Sequence, residues 1–248
     1  MPFNFDFKKI LFLDIETVSA VSSYEELSDR IQKLWQRKAN AILRKGGDLE
    51  PEAGDYQKTY LDKAGIFSEF GKIVCISMVY ISGSDQQLTL RVKSLAGENE
   101  QELLSNFKDL LDKHFSDTDQ YALCGHNIKE FDIPYLCRRM VINQIPFPTI
   151  LDVGGKKPWE VKQFIDTMDL WKFGDAKQFT SLDLLATSLD IPTPKDDIAG
   201  SDVGQVYWQQ GDLDRIVKYC QKDVITVVQI LRRLSFQPLF EDHQIVYV

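Results

Sequence analysis

The chain has 248 residues, 44% of them hydrophobic and 27% charged, and 29 Lys plus Arg against 37 Asp plus Glu give a net charge of −8. That length suits one large domain with insertions, and the apolar share is enough for a core. The acidic balance excludes a generally basic nucleic-acid coat, while it permits a local basic groove or an acidic site that cations neutralise. Cys75, Cys124, Cys137 and Cys220 form no Cys-x-x-Cys pair, and none has a histidine at zinc-finger spacing. Buried free thiols in a reducing compartment are therefore expected. Residues 1–13 hold no apolar run long enough for a signal peptide or a membrane span, which points to a cytoplasmic protein with no membrane partner.

Residues 9–16 are apolar and nearly unbroken, as expected of a central strand covered on both faces. Residues 22–64 are polar and favour helix. Within them Leu27, Ile31, Leu34, Trp35, Ala41 and Ile42 recur at helical spacing, and Gly46-Gly47, Pro51 and Gly54 break the run. This stretch exceeds what a simple connection needs, so it reads as a helical insertion that gates or guides a single strand. Residues 72–81, rich in Ile and Val, predict a second strand. A turn follows at 83–85, and residues 87–92 alternate as a third strand. Residues 98–114 have helical periodicity through Leu103, Leu104, Phe107, Leu110 and Leu111. A short strand over 121–124 ends at Gly125, a helix follows over 131–142, and residues 191–204 read as loop. The last long helix is expected over 212–234, capped by Asp212. Three strands able to pair as a meander, followed by strands alternating with helices, predict an α/β fold. Its mixed sheet combines an antiparallel meander with parallel strands, flanked by helices.

Asp14 and Glu16 are two apart on the first strand, so their side chains point to the same side of the sheet. Two acids on a buried strand need a counter-charge or a metal. The alternative is that the strand ends near Leu13 and both acids meet solvent. Asp132 follows a strand at the start of a helix, where capping is the plain reading. Tyr219 and Asp223 are four apart and share one face of the last helix, while Ile216, Val224, Val227, Val228 and Leu231 turn inward. Taken alone, the Tyr/Asp pair reads equally well as a surface hydrogen-bonding pair.

In combination these residues resemble the DEDD superfamily of 3′-to-5′ exonucleases. Its first motif, Asp-x-Glu on the first strand, is matched by Asp14-Ile15-Glu16-Thr17. Its second, Asn-x-x-x-(Phe/Tyr)-Asp, is matched by Asn127-Ile128-Lys129-Glu130-Phe131-Asp132. Its third is matched in the tyrosine form by Tyr219-Cys220-Gln221-Lys222-Asp223, which marks the DEDDy subclass. The wording is most similar to stand-alone proteins related to the proofreading domain of family B DNA polymerases. The resemblance spans residues 10–234 and implies a ribonuclease H-like fold with 1–248 as a single exonuclease domain. It implies two Mg²⁺ or Mn²⁺ ions held by Asp14, Glu16, Asp132 and Asp223. Asp14 would bridge the pair, Glu16 and Asp223 would complete the nucleophile's side, and Asp132 would support the second ion. Tyr219 would orient the attacking water, because at its ordinary pKa of about 10 a tyrosine is a poor base. Ile15 and Glu16 would meet the terminal 3′-hydroxyl, and Thr17, Asn127 and Phe131 would help place the terminal nucleotides. The implied activity is 3′-5′ hydrolysis of single-stranded nucleic acid, with DNA favoured over RNA. The rivals are a 3′-5′ exoribonuclease and a catalytically silent nucleic-acid-binding module. About fourteen residues follow Leu234, too few for a polymerase domain, so a polymerase or repair partner would act in trans.

Other candidates are weaker. Asp169 either lies near the site or makes a structural hydrogen bond, the latter being favoured. His114 and His126 are single histidines with no ligand-spaced partner and read as ordinary. Arg30, Lys33, Arg37, Lys38, Arg44 and Lys45 offer a phosphate-tracking face with Trp35 for stacking. The favoured reading is a solvated face over an apolar stripe that includes Trp35. Arg138-Arg139 and Lys156-Lys157 are further phosphate-contact candidates, and Asp196-Asp197 reads as solvated loop.

Overall fold

The computed structural model describes residues 3–43, 52–84, 87–157, 160–175, 177–192 and 198–248. Strands β1 (Ile10–Ser19), β2 (Gly71–Ser84) and β3 (Gln87–Ala96) form an antiparallel meander. Strands β4 (Ala122–Gly125) and β5 (Phe164–Asp166) add in parallel beside β1, and β6 (Ile245–Tyr247) adds in parallel to β3. The sheet order is β5-β4-β1-β2-β3-β6. The mixed sheet and the meander follow the sequence expectation, and β1, β2 and β3 run further than their apolar runs suggested. The three-residue strands β5 and β6 carry too little periodicity to be read in advance.

Burial on both faces explains the unbroken apolar start of β1. Ile10 and Phe12 pack with Val224, Val227 and Leu231 of α8 (Leu213–Leu234). Leu11, Leu13 and Ile15 face the other way, onto Leu104 and Phe107 of α3 (Glu100–His114) and Leu136 of α4 (Asp132–Ile142). Asp212 caps α8 as expected, its carboxylate accepting the Arg215 N–H at 3.1 Å. Among the described residues between β5 and α8, three short helices were not foreseen: α5 (Thr167–Lys172), α6 (Leu182–Ser188) and α7 (Val203–Gln205). Among the described residues no helix is long and apolar enough to cross a membrane. The cysteines are free; Cys75, Cys124 and Cys220 are buried and Cys137 is half-buried.

Between β1 and β2 lie α1 (Asp29–Leu43) and α2 (Ala53–Lys63), which build a satellite core. Trp35 is wholly buried there against Tyr60 and Phe70, and its indole N–H donates to the Tyr56 carbonyl at 3.0 Å. It is a core residue and has no face to offer a base. Arg30, Lys33, Arg37 and Lys38 are exposed, with the Lys38 ammonium 4.1 Å above the Phe67 ring. Arg44, Lys45, Gly46-Gly47, Pro51, Asp85 and Asp196-Asp197 lie outside the described residues.

The candidate Arg139 is not a phosphate contact. It is buried in a bidentate pair with Glu100, at 2.8 Å and 2.5 Å, and its third donor reaches the Ser68 carbonyl at 2.8 Å. Glu100 also accepts the Ile73 N–H at 2.8 Å. The pair therefore ties α3, α4 and β2 together and fixes the angle at which α4 arrives. Removing one partner of such a buried pair costs about 3–5 kcal/mol, because the other charge is stranded. Arg139→Ala is expected to lose that much in urea denaturation. A loss below about 1 kcal/mol would mean that α4 is held by other contacts.

Candidate active site

Parallel pairing covers β1 only at Ile10, Leu11 and Phe12. Beyond Leu13 the β4 side of β1 is open, and the carboxyl ends of parallel strands are where such sheets leave a crevice for ligands. The chain quits β4 at Gly125, where a Cβ would sit 2.8 Å from the Ile128 Cβ. It then folds back through Asn127 at φ 61°, a left-handed conformation that asparagine tolerates. Buried Asp166 clamps this turn. Its carboxylate accepts the N–H groups of Asn127 at 2.9 Å, Lys129 at 3.1 Å and Met168 at 3.0 Å, the last as the cap of α5. The turn delivers Asp132, first residue of α4, to the open flank of β1. There its carboxylate accepts the N–H of Ile15 and its own N–H. On the other flank, Glu16 pairs with Cys75 and Thr17 with Ile73. Val74 is thus an extra residue in β2, and such a bulge bends the ribbon where side chains must be re-aimed.

Asp14 and Glu16 share a face of β1, as their spacing predicts, and that face looks at α8. They and Cys220 of α8 each offer an atom within 4.8 Å of the others. The Cys220 Sγ is 3.3 Å from Asp14 Oδ2 and 3.4 Å from the Asp14 carbonyl oxygen. A polar chain lies nearby: Cys75 to Ser77 at 3.6 Å, Ser77 to Ser94 at 2.9 Å, and the Gln221 amide donating to Ser94 at 3.0 Å. One turn of α8 brings Tyr219 and Asp223 into hydrogen bond with each other beside the two β1 acids.

The electrostatics are those of a crowded acid cluster. Burial first, then the charges of Asp132 and Asp223, hold Asp14 well above the usual carboxylate range. Glu16 is raised by burial, then by Asp14 and Asp223. Asp132 is pushed up to about 7, mainly by burial and against the help of its two N–H donors. Burial, with Asp223 next, raises Tyr219 far enough that it stays protonated. The ionisable groups acting on Asp14 and Glu16 are carboxylates and thiols. Clustered carboxylate oxygens are the donor set that suits Mg²⁺ or Mn²⁺.

A cavity of about 230 Å³ opens beside Glu16, lined by Ile15, Thr17 and Phe131, and by Leu61 and Ile66 from the segment between β1 and β2. Phe131 also packs on Tyr135, ring centres 5.4 Å apart, so it serves core and cavity together. Asn127 does not line this cavity, and its buried side-chain oxygen has no hydrogen-bond partner among the described residues. Asp169 is paired with Lys129 at 3.3 Å and Lys172 at 3.1 Å. His126 is structural. Its Nε2 donates to the Thr180 carbonyl at 2.8 Å, Nδ1 lies 2.9 Å from the Thr167 hydroxyl, and burial lowers its pKa. His114, Arg138, Lys156 and Lys157 are exposed.

A family profile described as "Predicted 3′-5′ exonuclease related to the exonuclease domain of PolB" matches residues 66–242. The chain belongs to this PolB-related exonuclease family. No curated protein matches it in sequence. In three dimensions this family member is similar to the family B DNA polymerase of the hyperthermophilic archaeon Pyrobaculum calidifontis, with TM-score 0.52 and 15% identity over 90% of this chain and 24% of that one. The chain thus spans about a quarter of the polymerase chain's length. The likeness confirms the ribonuclease H-like fold that the three motifs implied.

Sequence reasoning missed Cys220, Asp166 and the cavity wall from Leu61 and Ile66. Cys220 was findable, since it lies four residues before Val224 on the apolar face of α8. Raised pKa values set the sign of a pH effect. A carboxyl raised in the folded state stabilises below its unfolded pKa, and the gain is lost as pH rises through its folded value. With Asp132 folded near 7 against 3.8 unfolded, the metal-free protein should lose on the order of 4 kcal/mol between pH 4 and pH 8 from this residue alone. Asp132→Asn should flatten that loss in thermal melts, and an equally steep profile in the variant would contradict it.

Proposed function

We propose that this family member is a divalent-metal-dependent 3′-5′ exonuclease that removes nucleotides one at a time from a single-stranded 3′ end, DNA being the favoured substrate. The observation that carries the reading is convergence: Asp14 and Glu16 from β1, Asp132 from α4, and Tyr219 with Asp223 from α8 reach one crevice. We read 1–248 as one exonuclease domain, with the insertion at 22–64 walling the substrate end of the crevice.

Asp14, Glu16, Asp132 and Asp223 would hold two Mg²⁺ or Mn²⁺ ions, whose four positive charges balance four carboxylates. When bound, the ions acidify the attacking water and stabilise both the entering and leaving oxygens of an in-line displacement at phosphorus. Tyr219, kept protonated by burial and by Asp223, acts by position: its hydroxyl orients the attacking water and does not take its proton. Ile15, Thr17 and Phe131 would seat the last nucleoside in the cavity, with Leu61 and Ile66 closing its far side. The Ile15 N–H is committed to Asp132, so the terminal 3′-hydroxyl falls to the Glu16 carboxylate. Asn127, whose side-chain oxygen is buried away from the cavity, would act on the strand only indirectly, by shaping the turn that delivers Asp132.

A time course on matched 5′-labelled single-stranded DNA and RNA, with Mg²⁺, Mn²⁺ or EDTA, tests this. A metal-dependent ladder shortening from the 3′ end is expected, falling to background in Asp14→Ala and in Asp223→Ala. Tyr219→Phe should lower the rate by up to about 10²-fold while metal binding is retained. Binding of either strand with no cleavage by the wild-type protein would favour a silent binding module instead.

A further inference from the structure

The first half of α8 carries a second chemistry beside the acids. Arg215, Lys218 and Lys222 recur at i, i+3 and i+7, so they form one stripe along the helix. Tyr219 and Asp223 each lie one residue past a member of that stripe, on the adjoining face. The stripe borders a groove of about 750 Å³ whose lining also includes Tyr219, Asp212 and Tyr247. Among the described lining residues Asp212 is the one carboxylate; it caps α8, accepting the Arg215 N–H at 3.1 Å. The Arg215 guanidinium meets the Gln210 side-chain oxygen at 2.9 Å. Tyr247, on the rim, is 59% exposed.

Three cations line this groove on a chain of net charge −8, with Glu241 and Asp242 in the adjoining groove that shares Lys222 and Tyr247, and they stand next to a cluster that would repel phosphate. A basic track with an exposed aromatic ring is the combination that follows a single strand: cations meet the phosphates and the ring stacks on a base. We infer that this groove holds the phosphodiester backbone of the substrate strand and leads it to Tyr219. The inference rests on the exonuclease reading above and adds the path by which the strand arrives.

The test is binding, measured in EDTA so that no cleavage intrudes. The probes are labelled single-stranded DNA and RNA oligonucleotides of about 16 nucleotides, followed across a salt series. A variant carrying Arg215→Gln, Lys218→Gln and Lys222→Gln should bind more weakly. Its slope of log K against log salt should be shallower by about 2, near 0.7 per lost phosphate contact on a single strand. Tyr247→Ala should weaken binding by about 5- to 150-fold without changing the slope. The ratio of the DNA to the RNA slope change tells which backbone the groove takes. A triple variant with wild-type slope and affinity for both probes overturns the proposal. Metal-dependent shortening by the wild-type protein is scored in parallel. Cleavage with an unchanged slope rejects the groove and keeps the exonuclease, whereas a reduced slope without any cleavage keeps the groove and rejects the exonuclease.

Discussion

Asp14, Glu16, Asp132 and Asp223 repel one another, and burial makes the ionisation of the first three costlier still. A chain gains nothing in stability by gathering such groups, since each raised pKa is free energy spent in the neutral range. The surrounding architecture makes sense as the means of holding them together. Sheet pairing fixes Asp14 and Glu16 on one side of β1. The Asp166 clamp and the Ile15 N–H hold Asp132 at the open flank. The apolar stripe of α8 presses Tyr219, Cys220 and Asp223 against β1.

The stabilising interactions lie around the site rather than in it. The Glu100–Arg139 pair sets the approach of α4, and its hydrogen bonds satisfy both partners, which is what makes a buried charge pair tolerable. The satellite core around Trp35 lets the segment between β1 and β2 stand as a wall rather than a loose loop. Leu61 and Ile66 can then remain half exposed at the cavity without collapsing onto it. Strain and repulsion at the crevice are thereby offset by packing elsewhere, a pattern expected of a site built for binding charge.

Much of this was legible in the sequence, for a physical reason. The long elements β1, β2, β3, α3, α4 and α8 bury a full face, so their periodicity survives in the chain. The acid positions were legible because a carboxylate on an apolar strand or at a helix start stands out against that background. What escaped were features made by tertiary contact alone. Asp166 reads as an ordinary helix cap until β5 brings it to the Asn127 turn. Arg139 reads as a surface base until α3 supplies Glu100. Trp35 is ambiguous between stacking and core until Tyr60 and Phe70 close on it. The basic stripe on α8 was hidden because the motif next to it drew the reading toward Tyr219 and Asp223.

The central claim is that this acid crevice is a dication site. Crystals soaked in Mn²⁺ and examined by anomalous scattering at the manganese edge test it most directly. Two peaks bounded by Asp14, Glu16, Asp132 and Asp223, both lost in Asp14→Ala crystals of the same form, are the expected result. A crevice that stays free of manganese at saturating concentration, with all four carboxylates in place, would contradict it.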